Sequence, residues 1–183
     1  MRHRVLVAVV GPGERATNGM IEDADAVGRA IAERGWVTIT GGRAAGVMQA
    51  AVVAASRAGG LTIGVLPGAT RADAADGLDI ALATGLGEAR NVVIAASCDA
   101  MIACGMNAGT ASEVALAMRA GKPVAIVHAR DSVRAFFDSI GADSSGGRPY
   151  VAGSAEAALH WLDGVLSEQT QAVIPPGASD PGP

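Results

Sequence analysis

Arg90 and Glu113 are the residues whose type and setting point most directly to chemistry. Arg90 lies in an otherwise apolar stretch, Glu88 to Ser97, just after Gly85-Leu86-Gly87. An unpaired guanidinium there would be costly, so it either snorkels to water or meets an anion. Glu113 falls three residues after Thr110. Thr-x-x-Glu is also a capping box, which leaves the carboxylate two readings, a helix cap or a site acid. As a pair, Arg90 and Glu113 suit binding of a phosphorylated sugar and stabilisation of charge during cleavage of a glycosidic bond.

Three glycine-rich turns stand where such a ligand would be held. Gly41-Gly42-Arg43, with Gly46 beyond it, and Gly105-Met106-Asn107-Ala108-Gly109-Thr110 each lie between a predicted strand and a predicted helix. Free N–H groups converge at such turns and the helix dipole favours anions. The pattern predicts that the two turns sit at neighbouring strand ends and form one crevice. Gly11-Pro12-Gly13-Glu14-Arg15-Ala16 has the letters of a dinucleotide fingerprint, but the second strand ends in Thr40-Gly41 where an NAD site would present an acidic residue to the ribose. NAD is therefore rejected, and Gly11 and Gly13 are read either as a chain reversal or as backbone contacts to a ligand. No P-loop signature occurs. His3, His128 and His160 have no metal-ligand spacing, so no metal site is expected, and Ser97 and Ser112 lack a nameable base partner.

The elements that must position these residues follow from the pattern. Val5 to Val10, Trp36 to Thr40, Leu61 to Leu66, Asp99 to Cys104 and Val124 to His128 are apolar runs of buried strands, with a short strand at Leu78 to Ala83 and an edge strand starting at Val151. Helical spacing covers Glu22 to Arg34, the Ala- and Val-rich stretch that the Gly41 to Met48 turn opens and that runs through Arg57, Glu88 to Ser97, Thr110 to Ala120, Ser132 to Asp138 and Ala155 to Leu166. Alternation of strand and helix predicts a doubly wound, mostly parallel α/β fold, a Rossmann-like single domain over residues 1–168. Ala69 to Gly77 reads as a loop that could lie over the site, its role left open, and Gly141 to Arg148 as a second polar loop. Four Pro and two Gly in the final fifteen residues predict a disordered tail over 169–183.

Composition narrows the partners. The 183 residues are 50% hydrophobic but 3% aromatic, so Ala, Val, Ile and Leu must fill the core. A net charge of -4 argues against a general nucleic-acid binder. Cys98 and Cys104 read as two buried thiols in a reducing compartment. Arg2-His3-Arg4 before Val5 to Val10 imitates a signal peptide, but the apolar run is too short and Glu14 and Arg15 follow without a cleavage site. A cytoplasmic protein without membrane contact is expected. Val92 to Ala96 and Val114 to Ala120 are apolar over more than one stripe, which predicts a homo-oligomer, a dimer or tetramer.

Four motifs, in this order and spacing, carry a resemblance: Gly41-Gly42-Arg43-Ala44-Ala45-Gly46-Val47-Met48, Thr62-Ile63-Gly64-Val65-Leu66-Pro67-Gly68, Thr84-Gly85-Leu86-Gly87-Glu88-Ala89-Arg90, and the run from Gly105 to Glu113. The chain resembles the LOG-like, or lysine-decarboxylase-like, superfamily over residues 4–167, and within it the molybdenum cofactor carrier proteins. The resemblance implies a Rossmann-like subunit, a homo-oligomer, molybdoenzymes as recipients, and a pocket that holds molybdopterin or a comparable anion unchanged. Gly11, Gly13, Gly41, Gly42, Arg43, Gly46, Arg90, Gly105, Asn107, Gly109, Thr110 and Glu113 are the expected ligand-binding positions. The hydrolase branch of the superfamily releases a base from a nucleoside 5′-monophosphate such as AMP; it is similar at Arg90 and Glu113, which would then be catalytic, and binding of an AMP-like nucleotide without turnover is the remaining alternative. That branch carries Pro-Gly-Gly-x-Gly-Thr-x-x-Glu and an Arg-Lys pair. Here Gly105-Met106-Asn107-Ala108 replaces the double Gly and Asn91 replaces the Lys, which weakens the expectation of hydrolysis. A pyridoxal enzyme would need a Schiff-base Lys, and Lys122 reads as a helix-end residue.

Overall fold

A computed structural model describes residues 4–141 and 147–173, with the side chains of 169–173 outside the description. The apolar runs form strands β1 (Leu6–Val10), β2 (Val37–Thr40), β3 (Leu61–Leu66), β4 (Ile80–Ala83), β5 (Ala100–Cys104), β6 (Val124–Val127) and β7 (Tyr150–Ala152). They make a seven-stranded sheet in the order β4-β3-β2-β1-β5-β6-β7. Every pairing is parallel, so the expected mostly parallel sheet is parallel throughout. The helices between them are α1 (Asn18–Glu33), α2 (Gly46–Arg57), α3 (Arg90–Ser97), α4 (Ala108–Arg119), α5 (Asp131–Gly141) and α6 (Ala155–Val173).

Both faces of the sheet are covered, which is why its central strands read as unbroken apolar runs rather than alternating ones. Val7 and Val9 of β1, Ile102 of β5 and Val127 of β6 face α1, α2 and α6. Their neighbours Ala8, Val10, Met101, Ala103 and Ile126 face α3, α4 and α5, where Ile94, Val114, Met118 and Phe137 fill the space. The small side chains permit close approach. A Cβ on Gly28 of α1 would collide with the backbone of Ala51 in α2, so these two helices pack nearly backbone to backbone. At the amino ends of the strands, Arg34 clamps α1 to α6 by two bonds of 2.8 Å to Asp163, and its guanidinium stands over Trp36 at 5.6 Å. The Arg34 bond holds the Asp163 carboxyl below its ordinary value.

Several boundaries differ from expectation for local reasons. α1 starts four residues early because Thr17 caps it, its Oγ1 accepting from Met20 N at 3.4 Å. α3 is preceded by a 3-10 turn at Gly87–Ala89. α6 continues through Val173, past the predicted end of the domain at 168; the rest of the expected tail, 174–183, and residues 142–146 of the second polar loop lie outside the described residues. Ala69 to Gly77 does not cover a cleft. Ala44 N donates to Asp73 O at 2.9 Å and Ala75 N to Gly42 O at 2.8 Å, so the segment is stitched to the outer side of the turn after β2. Cys98 and Cys104 are free and buried, and burial pushes the Cys98 thiol up to about 11 and Cys104 higher still. Among the described residues no helix is long and apolar enough to cross a membrane.

The close approach of α1 and α2 predicts that Gly28→Ala destabilises the fold by about 1–3 kcal/mol through overpacking. Gly164→Ala, in the open surroundings of α6, is expected instead to stabilise by about 0.5–1 kcal/mol. Urea denaturation of the two variants measures both, and equal effects would refute the packing account.

Candidate functional site

The sheet winds outward in opposite directions from β1: β2, β3 and β4 lie on one side, β5, β6 and β7 on the other. No crossover helix fills the carboxyl ends of β1 and β5, which is where open α/β sheets leave a crevice. A cavity of about 280 Å³ occupies that position. Its walls are Val10, Gly11 and Gly13 at the end of β1 and after it, Gly41 and Arg43 after β2, Met48 of α2, Glu88, Arg90 and Asn91 around the start of α3, and Asn107, Gly109, Thr110 and Glu113 at the cap and first turns of α4. The turns after β2 and β5 are therefore not on neighbouring strands, as the sequence suggested. β1 stands between them, and its own Gly11-Pro12-Gly13 turn completes the crevice.

Arg90 and Glu113, twenty-three residues apart, meet in this cavity. Arg90 Nη1 donates to Glu113 Oε1 at 3.2 Å, and the two side chains are each 8% exposed. The capping-box reading of Glu113 is overturned. α4 starts at Ala108 and its cap is Asn107, whose Oδ1 accepts from Thr110 N at 2.8 Å and from Thr110 Oγ1 at 3.0 Å. Glu113 thus sits nearly two turns inside the helix and points into the cavity. Burial, opposed by Arg90 and reinforced by Glu88, raises its carboxyl to about 7. The guanidinium lies against Gly41, where a Cβ would stand 2.5 Å from Nη1 and 2.8 Å from Cζ. Any side chain at position 41 would displace it. Arg90 Nε is buried without a partner, and so is Asn91 Oδ1; the Asn91 amide donates only to Ser112 Oγ, at 2.8 Å.

The rest of the site is backbone. Gly109 and Thr110 of the first turn of α4 line the cavity, so the helix turn whose first N–H groups lack an intrahelical acceptor, the positive end of the dipole, stands at its wall. Gly11 must be Gly because a Cβ would lie 2.6 Å from Cys104 O and 2.7 Å from Val47. Of the expected ligand positions, Gly11, Gly13, Gly41, Arg43, Arg90, Asn107, Gly109, Thr110 and Glu113 line the cavity. Gly42, Gly46 and Gly105 do not. Gly42, at φ +72, packs on Gly64; Gly46, at φ +48, packs on the Pro12 and Gly13 carbonyls; Gly105, at φ +92, packs on Met20. Their glycines serve the turns. Arg43 is engaged as well, its Nη2 donating to Glu14 Oε1 at 2.8 Å on the rim. The sequence reading missed Val10, Met48, Glu88 and Asn91 as lining residues. Asn91 had a signal, since it follows Arg90 at the position where the resemblance to the hydrolase branch implied a Lys.

A larger hollow, about 390 Å³, lies between α1 and α6. It has no glycine turn, and Arg34 and Asp163 at its edge satisfy each other, so the smaller cavity at the switch of winding is the chemically equipped one. Among the described residues no cluster of three His, Cys, Asp or Glu could hold a metal ion.

Comparison with known proteins agrees with this architecture. Residues 4–151 match the SLOG cluster4 family. The chain belongs to that family. It is similar to the molybdenum cofactor binding protein from the phototrophic bacterium Rippkaea orientalis, at 38% identity and a TM-score of 0.85, over 91% of this chain and 99% of that one. It is similar to the Moco carrier protein of Chlamydomonas reinhardtii at 38% identity and a TM-score of 0.82, with the same coverage. An uncharacterized protein of Archaeoglobus fulgidus is 43% identical over 120 residues, 65% of this chain and 77% of that one.

Glu113 gives the site a pH signature with a definite sign. Its folded value of about 7 is above its ordinary 4.5, so between these values the native state binds the extra proton. Stability therefore falls as pH rises from about 4.5 to about 7, by up to about 3 kcal/mol for one such group. The unfolding free energy of wild type relative to Glu113→Gln should decline across that window. Parallel pH profiles of the two proteins in urea titrations would rule this out.

Proposed function

We propose that this protein binds molybdenum cofactor and carries it unchanged, holding the phosphate monoester of molybdopterin in the cavity between β1 and β5. The supporting observation is the pairing of two features in one cleft: the first turn of α4, which lines it at Gly109 and Thr110, and a buried Arg90 whose guanidinium is held by a single carboxylate contact. A helix N-terminus plus a buried cation is an oxyanion site. That the solved structures similar over most of this chain are described as molybdenum cofactor binding and carrier proteins supports the choice of ligand. In this reading Gly11, Gly13, Gly41, Asn107, Gly109 and Thr110 shape the cradle, Arg90 supplies the charge, and Arg43 closes the rim. Molybdenum is cargo, bound by the dithiolene of its own pterin, and needs no protein ligand. Molybdoenzymes are the recipients, and two unpaired buried thiols favour the reducing cytoplasm.

One observation favours a second reading. Arg90 and Glu113 are in contact, buried, and close to neutrality for the carboxyl, as a phosphoribohydrolase acting on AMP would need. Against it, Asn91 is an uncharged amide bonded to Ser112, and Asn107 commits its side chain to capping. A homo-oligomer is part of the proposal too: Ile80, Leu82, Leu86 and Val92 are 41% to 53% exposed although apolar, all between residues 80 and 92, which suits a covered surface.

Calorimetric titration with cofactor released from a molybdoenzyme should show saturable micromolar binding. Arg90→Gln should weaken it by about 10–100-fold, the worth of a charged hydrogen bond, and Arg43→Ala by less. AMP incubated with the protein should remain intact by chromatography. Free adenine that disappears in Glu113→Gln would replace the carrier with the hydrolase. Sedimentation equilibrium should report an oligomer that Val92→Asp dissociates; a wild-type monomer at working concentration would end the oligomer claim.

A further inference from the structure

The charges around the cavity do not suit the anion it is built to hold. Arg43 and Arg90 face Glu88 and Glu113 across the lining, and Glu14 holds Arg43 at 2.8 Å. With every group ionised, three carboxylates surround two guanidiniums, and the remaining lining is neutral. A phosphate monoester brings nearly two further negative charges near neutral pH. Glu14, with its side chain 75% exposed, and the exposed Glu88 are screened by water. Glu113 is not: its side chain is 8% exposed and sits against the guanidinium that the anion must reach.

We propose that the cavity binds its phosphorylated ligand together with one proton, taken from solvent by the Glu113 carboxyl, so that the anion replaces Glu113 as the partner of Arg90. The inference rests on the reading of this cleft as an anion site. The geometry supports the exchange. The ion pair is one hydrogen bond of 3.2 Å, long for a charge-assisted contact. The guanidinium lies against Gly41, with no room for a side chain between them, while Nε has no hydrogen-bond partner. The bond lost is Nη1–H to Glu113 Oε1; the bonds gained run from Arg90 to the ligand oxygens, and the new carboxyl O–H donates to the ligand. The groups facing Glu113 are Arg90 of α3 and Glu88 just before it, with the Arg43–Glu14 pair on the opposite rim. Only Arg90 opposes protonation. Burial has already brought the carboxyl to about 7, and an arriving anion raises it further. Affinity then falls as pH rises, approaching tenfold per unit above about pH 7, and alkaline shifts favour release.

The test is calorimetry at about pH 8, where a phosphate monoester is already fully ionised, in Tris and HEPES, whose ionisation enthalpies differ. The titrants are molybdenum cofactor and AMP. Uptake of about one proton per bound cofactor in wild type is expected. In Glu113→Gln the uptake should vanish and binding at this pH should tighten by about tenfold. Equal heats in the two buffers for wild type, or uptake that persists in Glu113→Gln, overturn the inference and leave the carrier reading standing. Binding of neither titrant overturns both. Should the variant fail to fold, infrared difference spectra of wild type decide: a protonated-carboxyl band that appears with ligand supports the proposal, and its absence refutes it.

Discussion

Every group in the cleft owes its place to the change of winding direction at β1. A parallel sheet has to be covered on both faces, and each right-handed crossover lays its helix over the strands it joins. Where successive units wind away from each other, no helix is available to close the carboxyl edge. In this chain the gap falls between β1 and β5, so three turns that are far apart in sequence, after residues 10, 40 and 104, converge there. The need for those turns to pass close to one another explains their glycines better than ligand contact alone. Gly11 lies against the Cys104 carbonyl and Gly41 against the Arg90 guanidinium.

Desolvation then determines the behaviour of the polar groups that the gap collects. Arg43 and Arg90 have the same charge, yet only one of them is electrostatically consequential. Arg43 pairs with Glu14 at the surface, where water screens the interaction and its net worth is small. Arg90 and Glu113 are withdrawn from water, and removing either would strand an uncompensated charge. The same withdrawal lifts the Glu113 carboxyl into the neutral range, so that a group which would be a plain anion on the surface becomes a proton acceptor. Asn91 occupies the place where the hydrolase branch has a cation. Its amide is tied to Ser112, which leaves Arg90 as the buried positive charge among the residues lining the cavity.

The layered fold was legible because its determinants are local and repetitive. Apolar runs of β-branched residues, glycine stops and the alternation of strands with helices depend on neighbours within a few positions, and they led to strands and helices within about four residues of those observed, the end of α6 at Val173 apart. The glycine turns and the two charged residues in apolar settings were visible for the same reason. The cap of α4 was misread because both Asn107 and Thr110 are good capping residues, and the choice between them depends on how the chain leaves β5. Ala69 to Gly77 had no periodicity to reveal that its backbone pairs with the turn after β2.

By itself, the sequence determined the kind of sheet, the glycine-lined turns and the candidacy of Arg90 and Glu113, since these follow from residue type and short-range spacing. The tertiary structure decided which turns share a cleft, that Arg90 and Glu113 touch, and that Gly42, Gly46 and Gly105 serve the chain rather than the cavity. Those outcomes depend on strand order and on burial. Both are properties of residues distant in sequence, and burial alone turns an ordinary glutamate into a group poised near neutrality.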